Sequence, residues 1–428
     1  MKKQQHRGLA TISVAAMLCM APFIAANTHA QCTPPGDLTD GPLNSSTNGV
    51  NFSVIYTSDT NSPHYFPTTR ARWFRDALPE MHERISDVLN AGDPYSNLLP
   101  SYTGNIYDYN DSWASAYANC FVMEADVFGP MGGDAQTPLR KVTGHEMYHT
   151  VQRGFLCQIT SSCRNDGTSI GGSFAKWVSE GQARFHDDRY HPDFDTATFG
   201  SSFESSVAIT LGAPEGSVFD KSYDTALFWN YLAEQAGYGR IEPHVGVDLV
   251  RDWWDAMAAG GTSGAAAAFD TLEDVLAGRG FSLRELFHDY TICNVTRELD
   301  VSGAPLSEPK YRYLDEQPVN GAAYSGAVRK QNHATIASAN GSASVVDFAA
   351  DYYRVPVSFN NECKVVGLQV EADDNAGFAL IGSDAGGKVI SFSKQVDRNP
   401  ARTFLVSTNN PIAQLDAVVS GVDGDINY

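Results

Sequence analysis

The stretch KVTGHEMYHTVQ, residues 141–152, decides how this chain is read. It places His145 and His149 four apart with Glu146 between them, in a segment that holds no other acid. At 3.6 residues per turn, positions i and i+4 return to one helix face within side-chain reach of each other. Two neutral imidazoles so placed can each give one nitrogen to a divalent ion such as Zn²⁺. Glu146, turned about 100° along the helix, then points to the open coordination position. There it can take a proton from a water made acidic by the metal and hand it on to a leaving amine. The helix is argued independently by its flanks. In DAQTPLRKVTGHEMYHTVQRG, Thr137 reads as N-cap, Pro138 as the first helical residue and Gly154 as the stop.

A catalytic zinc needs a third protein ligand and a vacant fourth position. A third histidine six residues past His149 is excluded, because that position is Phe155. The better candidate is Glu180 in WVSEGQARFHDD, on the next predicted helix. Trp177, Val178, Ala183 and Phe185 surround it, and a carboxylate facing such an interior is costly without a cation. His186 and Asp187 compete for the same role. Asp187 or Asp188, two turns beyond Glu180, could instead hydrogen-bond a ligand imidazole; Asp188 reads as solvated charge.

With HEMYH followed by Trp177, Glu180, Gly181 and Ala183 in the pattern W-x-x-E-G-x-A, the chain resembles the gluzincin branch of zinc metallopeptidases over residues 50 to 300. The resemblance implies His145, His149 and Glu180 as zinc ligands and Glu146 as general base. Tyr223, which begins the predicted helix SYDTALFWNYLAEQAG, resembles the tyrosine that donates to the oxyanion in many gluzincins; packing at a helix start is its alternative reading. The strand CFVMEADVF (120–128) would line the cleft. More loosely, the chain resembles exported bacterial metalloproteases with HExxHxxQ, where Gln152 matches, and a trailing β-sandwich.

Around this centre the predicted fold class is α+β. NFSVIYTS (51–58) alternates as a strand, and RARWFRDALPEMHERISDVLN (70–90) has helical spacing with Pro79 as a candidate kink. GNIYDYN reads as another strand, and SFAKWVSEGQARFHDD as a helix capped by Ser173. Further helices are predicted in HVGVDLVRDWWDAMAAG, GAAAAFDTLEDVLAGRG and SLRELFHDYTICNVTREL. From about 310 the apolar period becomes two, with Val366, Leu368 and Val370 alternating against polar neighbours, and FALIGS, KVISFSK, RTFLVST and AQLDAVVSG following. Short strands with regular turn signals predict a β-sandwich. The division expected is a signal peptide over 1–30, a zincin-like metallopeptidase domain over 31–304 and an all-β sandwich domain over 305–428.

The N-terminus reads as a secretory signal. Lys2, Lys3 and Arg7 precede the apolar LATISVAAMLCMAPFIAA, and Thr28 and Ala30 offer a small-residue cleavage site after Ala30. No later run is long and apolar enough for a membrane span. Removing residues 1–30, which carry those three basic residues and no acidic one, takes the formal charge from −20 to −23. So acidic a chain lacks the clustered cations that nucleic acid requires. Seven cysteines become six, an even number that suggests disulfides in an exported chain, with Cys157–Cys163 the local pair. His191, His244 and His288 read as structural.

The function expected is therefore that of a secreted zinc-dependent peptidase, read as an endopeptidase, acting on protein or peptide. The alternative is a zincin-like scaffold or adhesion protein that binds metal without cleaving. The β-sandwich has two readings, a module that contacts polysaccharide, protein or a cell surface, or a structural cap.

Overall fold

The computed structural model describes residues 35–36, 38–89, 101–106, 114–116, 120–123, 125, 136–159, 175–190, 203–238, 244–261, 264–302, 306–313, 328, 330–332, 343–356, 365–371, 376–397, 401–407, 412–422 and 425–427. The expected signal segment, Ser173, His191, Cys163 and the side chain of Cys157 lie outside them. Helix and sheet are mixed, as the α+β class requires. Among the described residues no helix is long and apolar enough to cross a membrane.

A five-stranded mixed sheet comes first, formed by β1 (Asp40–Thr47), β2 (Val50–Tyr56), β3 (Ser101–Ile106), β4 (Ala114–Ala116) and β5 (Cys120–Met123) in the order β1-β2-β3-β5-β4. Strands β2, β3 and β5 run parallel, and β1 and β4 close the edges antiparallel. The alternation read in β2 holds: Phe52, Val54 and Tyr56 are all buried. Helix α1 (Thr68–Leu89) packs on β1 and β2, burying Leu78, Met81, Ile85 and Leu89 along one face. It runs through Pro79 as a single helix.

Helix α2 (Gln136–Ile159) lies against α1 and carries the His-Glu-x-x-His stretch. Every residue from Thr143 to Arg153 is buried, so this part of the helix is enclosed on all sides. Its two threonines fit there because their hydroxyls return to the helix's own carbonyls, Thr143 to Leu139 at 2.6 Å and Thr150 to Met147 at 2.7 Å. Gly154 does not stop the helix. A helical glycine costs about 1 kcal/mol, and Phe155, buried and stacked on Trp254 with centroids 5.3 Å apart, draws the chain onward.

Helix α3 (Lys176–Tyr190) packs on α2, and α4 (Phe203–Gly212) follows. A single 3₁₀ turn, Tyr223–Thr225, leads into α5 (Ala226–Ala236), which is buried along nearly its whole length. The predicted helix at 222–237 is therefore this turn plus α5. Helices α6 (Val247–Gly260), α7 (Ala265–Gly278) and α8 (Leu283–Thr296) complete the helical layer. Trp177, Trp229, Trp253 and Trp254 form its aromatic centre.

Toward the C-terminus come β6 (Gln331–Asn332), β7 (Ser344–Val345), β8 (Ala350–Pro356), β9 (Val365–Glu371), β10 (Ala376–Ser383), β11 (Val389–Asp397), β12 (Ala401–Ser407), β13 (Gln414–Gly421) and β14 (Ile426–Asn427). They form a five-stranded sheet ordered β11-β10-β13-β8-β6 and two ribbons, β12-β9 and β14-β7. One face of the larger sheet (Ala379, Ile381, Val418, Tyr352) belongs to the same apolar core as the helices; the other (Phe378, Leu380, Ala417, Val419) forms a second cluster. His288 of α8 seats on the sheet beside Gly377, where a Cβ would come 2.4 Å from its Nδ1. Its Nε2–H donates to the Phe378 carbonyl at 3.1 Å, so Nδ1 accepts from the Ser420 hydroxyl at 2.9 Å. Burial pushes this imidazole down to about 3, a neutral structural ring. On the same helix Cys293 is a buried thiol.

Candidate metal centre

The centre is built from two helices. On α2, His145 and His149 stand one turn apart with ring centroids 4.8 Å from each other and planes nearly perpendicular, at 89°. On α3, one oxygen of Glu180, Oε2, lies 3.4 Å from the Nε2 of each ring. His145, His149 and Glu180 thus offer three potential ligand atoms within 4.8 Å of one another. All three side chains expected to meet do meet.

Each imidazole is held from behind. The Nδ1 of His145 donates to Asp187 Oδ2 at 3.2 Å, which gives Asp187 the supporting position read from its spacing. Asp187 is itself paired with Arg184 at 2.9 Å. The Nδ1 of His149 meets the side-chain oxygen of Gln152 at 2.8 Å. The Gln152 amide nitrogen donates to the carbonyls of Ser179 at 3.1 Å and Val178 at 3.3 Å. Those carbonyls only accept, so the amide nitrogen must face them and its oxygen must face His149; that oxygen only accepts, so Nδ1 carries the hydrogen. Both Nε2 atoms are consequently left for the cluster. One fully buried glutamine couples the second histidine to the start of the Glu180 helix.

The charges agree with the geometry. Burial acts to lower the His145 imidazole, but Asp187 and Glu180 outweigh it and raise it to about 10. His149 is raised as well, burial being outweighed by Glu180. Burial acts to raise the Glu180 carboxyl, yet the two imidazoles drive it far below the ordinary carboxylate range. Two imidazole nitrogens and one carboxylate are a donor set suited to Zn²⁺, with room for the proton release that accompanies ligation. Glu146 is buried beside them, and burial raises its carboxyl against the pull of His149 and His145. A carboxylate so displaced is a stronger proton acceptor than one in water.

Tyr223 is at the rim, 40% exposed, with its ring 5.7 Å from that of His145. Burial first, then the charges of Glu180 and Glu146, push its phenol up, so it remains a hydrogen donor at neutral pH. The turn that carries it comes this close because residue 181 is glycine. A Cβ there would stand 3.1 Å from Thr225 Cβ and 3.3 Å from Trp229 Cδ1. Arg184 covers the Tyr223 ring at 4.9 Å. Its place four residues past Glu180 puts it on the same helix face, a signal present in the sequence.

His186 is not part of the cluster. Its Nδ1 donates to the Gln182 carbonyl at 2.8 Å, its ring stacks on Tyr148 at 4.0 Å, and burial pushes it down to about 3. Tyr148 is buried core, as expected, with its hydroxyl donating to Gln182 Oε1. The Asp188 side chain lies outside the described residues. Of the strand CFVMEADVF only 120–123 and 125 are described.

Replacing Gln152 by Leu keeps the volume and removes the tether. Zinc affinity, read by competition with a chromophoric chelator, should fall roughly 10–100-fold, the usual cost of losing such an outer hydrogen bond. An unchanged affinity would remove Gln152 from this account.

No family model and no curated protein matches the sequence. Among solved structures the chain is similar to Legionella pneumophila aminopeptidase A in complex with aspartic acid, at a TM-score of 0.41 and 9% identity, over 86% of this chain and 35% of that one. The chain spans about a third of that protein's length, and a likeness this loose carries no functional argument.

Proposed function

We propose that this chain is a zinc-dependent peptidase, an endopeptidase exported by its N-terminal segment, with a zincin-like catalytic domain over 31–304 and the β-sandwich domain over 305–428. The observation that carries the reading is the convergence of His145, His149 and Glu180 beside a buried Glu146. His145 Nε2, His149 Nε2 and the Glu180 carboxylate would hold the ion. Bound there, zinc would supply Lewis acidity, lowering the pKa of water and polarising the scissile carbonyl. Glu146 takes the proton of the attacking water and returns it to the leaving amine. Tyr223 donates its hydroxyl hydrogen to the oxygen on which negative charge develops. Asp187 and Gln152 keep both ligand rings oriented, and Arg184 keeps Asp187 and Tyr223 in register.

The test is a panel of quenched peptides blocked at both ends, which only an endopeptidase opens. Zinc-loaded protein should cleave members of the panel, chelation should stop cleavage, and added zinc should restore it. A zinc-loaded protein that cleaves nothing would instead be a metal-binding scaffold.

A further inference from the structure

The segment between α4 and the Tyr223 turn is held from two sides. On the side of the metal centre, Thr210 of α4 donates to the Asp224 carbonyl, and the turn rests against Gly181. On the other side lies the strand-rich C-terminal region. Val218 N–H donates to the Phe348 carbonyl at 2.9 Å, and Ala350 N–H donates to the Pro214 carbonyl at 3.0 Å. The connection then runs directly to the turn: the Thr225 hydroxyl donates to the Val218 carbonyl at 2.9 Å. Phe219, one residue on from Val218, sets its ring edge-on against Phe348 with centroids 4.8 Å apart.

Phe348 has the backbone of a residue placed on purpose. Its φ is +51°, a conformation that a bulky side chain rarely adopts. It is held there by its own N–H, which donates to the Gly421 carbonyl at the end of β13 at 2.9 Å. Its ring, almost wholly buried, also meets Phe269 of α7 at 5.4 Å and Phe287 of α8 at 5.2 Å. One residue thereby joins the sheet, two helices and the approach to Tyr223.

We propose that the C-terminal β region positions the Tyr223 turn, and that Phe348 is the positioning residue through which it does so. On this account the region acts on turnover from within the fold, beyond any binding it performs. The proposal concerns placement of the turn; only its kinetic consequence rests on reading Tyr223 as the oxyanion donor.

The experiment uses the full chain with Phe348→Ala and the milder Phe348→Leu, each carried through amide hydrogen exchange, zinc stoichiometry and steady-state kinetics. Exchange in peptides covering 213–225 should quicken about tenfold or more in the alanine variant and less in the leucine variant. Exchange in 140–152 should not change, and one zinc should still bind. For the cleaved peptides, kcat should fall about tenfold with KM little changed, because a displaced donor weakens the transition state more than the ground state. Unchanged exchange at 213–225, or an equal rise along the whole chain, would overturn the proposal. Should the alanine variant fail to fold, the leucine variant decides by the same comparison. If exchange responds locally and no peptide is cleaved even by the parent protein, the positioning stands and the peptidase reading falls.

Discussion

Glu146→Gln is expected to bind zinc as the parent protein does and to cleave peptides roughly 10²–10⁴-fold more slowly, the range over which a positioned general base acts. Glu146 is buried beside both imidazoles, and the amide is nearly isosteric, so packing around it is preserved. What the amide lacks is a lone pair basic enough to accept the proton of water. The loss should fall on kcat and on kcat/KM alike, since proton transfer belongs to the transition state. A glutamine variant that retains full turnover, with its zinc content confirmed, would assign the proton to another group.

Glu180→Ala should act one step earlier, on the ion itself. It removes the only carboxylate of the three-residue cluster and leaves His145 and His149 on α2 without the partner that faces both. Zinc affinity should drop by well over the roughly 10–100-fold expected for an outer hydrogen bond, and activity should vanish at zinc concentrations that saturate the parent protein. The two variants together separate holding the metal from using it: one binds and does not turn over, the other does neither until zinc is raised. If Glu180→Ala bound zinc normally, a different third ligand would have to be sought.

The cluster of His145, His149 and Glu180 was legible because its information is local. His145 and His149 share a face by helical arithmetic alone, and Glu180 was singled out by the cost of burying a carboxylate among Trp177, Val178 and Phe185. Asp187 followed from spacing as a partner for a ligand imidazole, whereas His186 stood as a competing third ligand that the sequence could not dismiss. Side-chain direction settles both: Asp187 turns toward His145, and His186 turns away from the cluster to stack on Tyr148. Helices α5 to α8 were legible from period and turn chemistry, and β9 to β13 from alternation. Helix α4 was not, because FESSVAITLG offers no amphipathic stripe and is stabilised by what packs on it. Gly154 misled for a related reason, since the stacking of Phe155 on Trp254 outweighs a local stop signal. The roles of Gly181 and Phe348 are tertiary. Each is defined by a residue distant in sequence, and no single-sequence pattern encodes those pairings.

The most direct measurement is a crystal structure of the zinc-loaded protein with anomalous diffraction recorded at the zinc edge. One peak should appear within about 2.0–2.2 Å of His145 Nε2, His149 Nε2 and a Glu180 carboxylate oxygen. A peak elsewhere, or an ion held by the histidines with Glu180 turned away, would contradict the account.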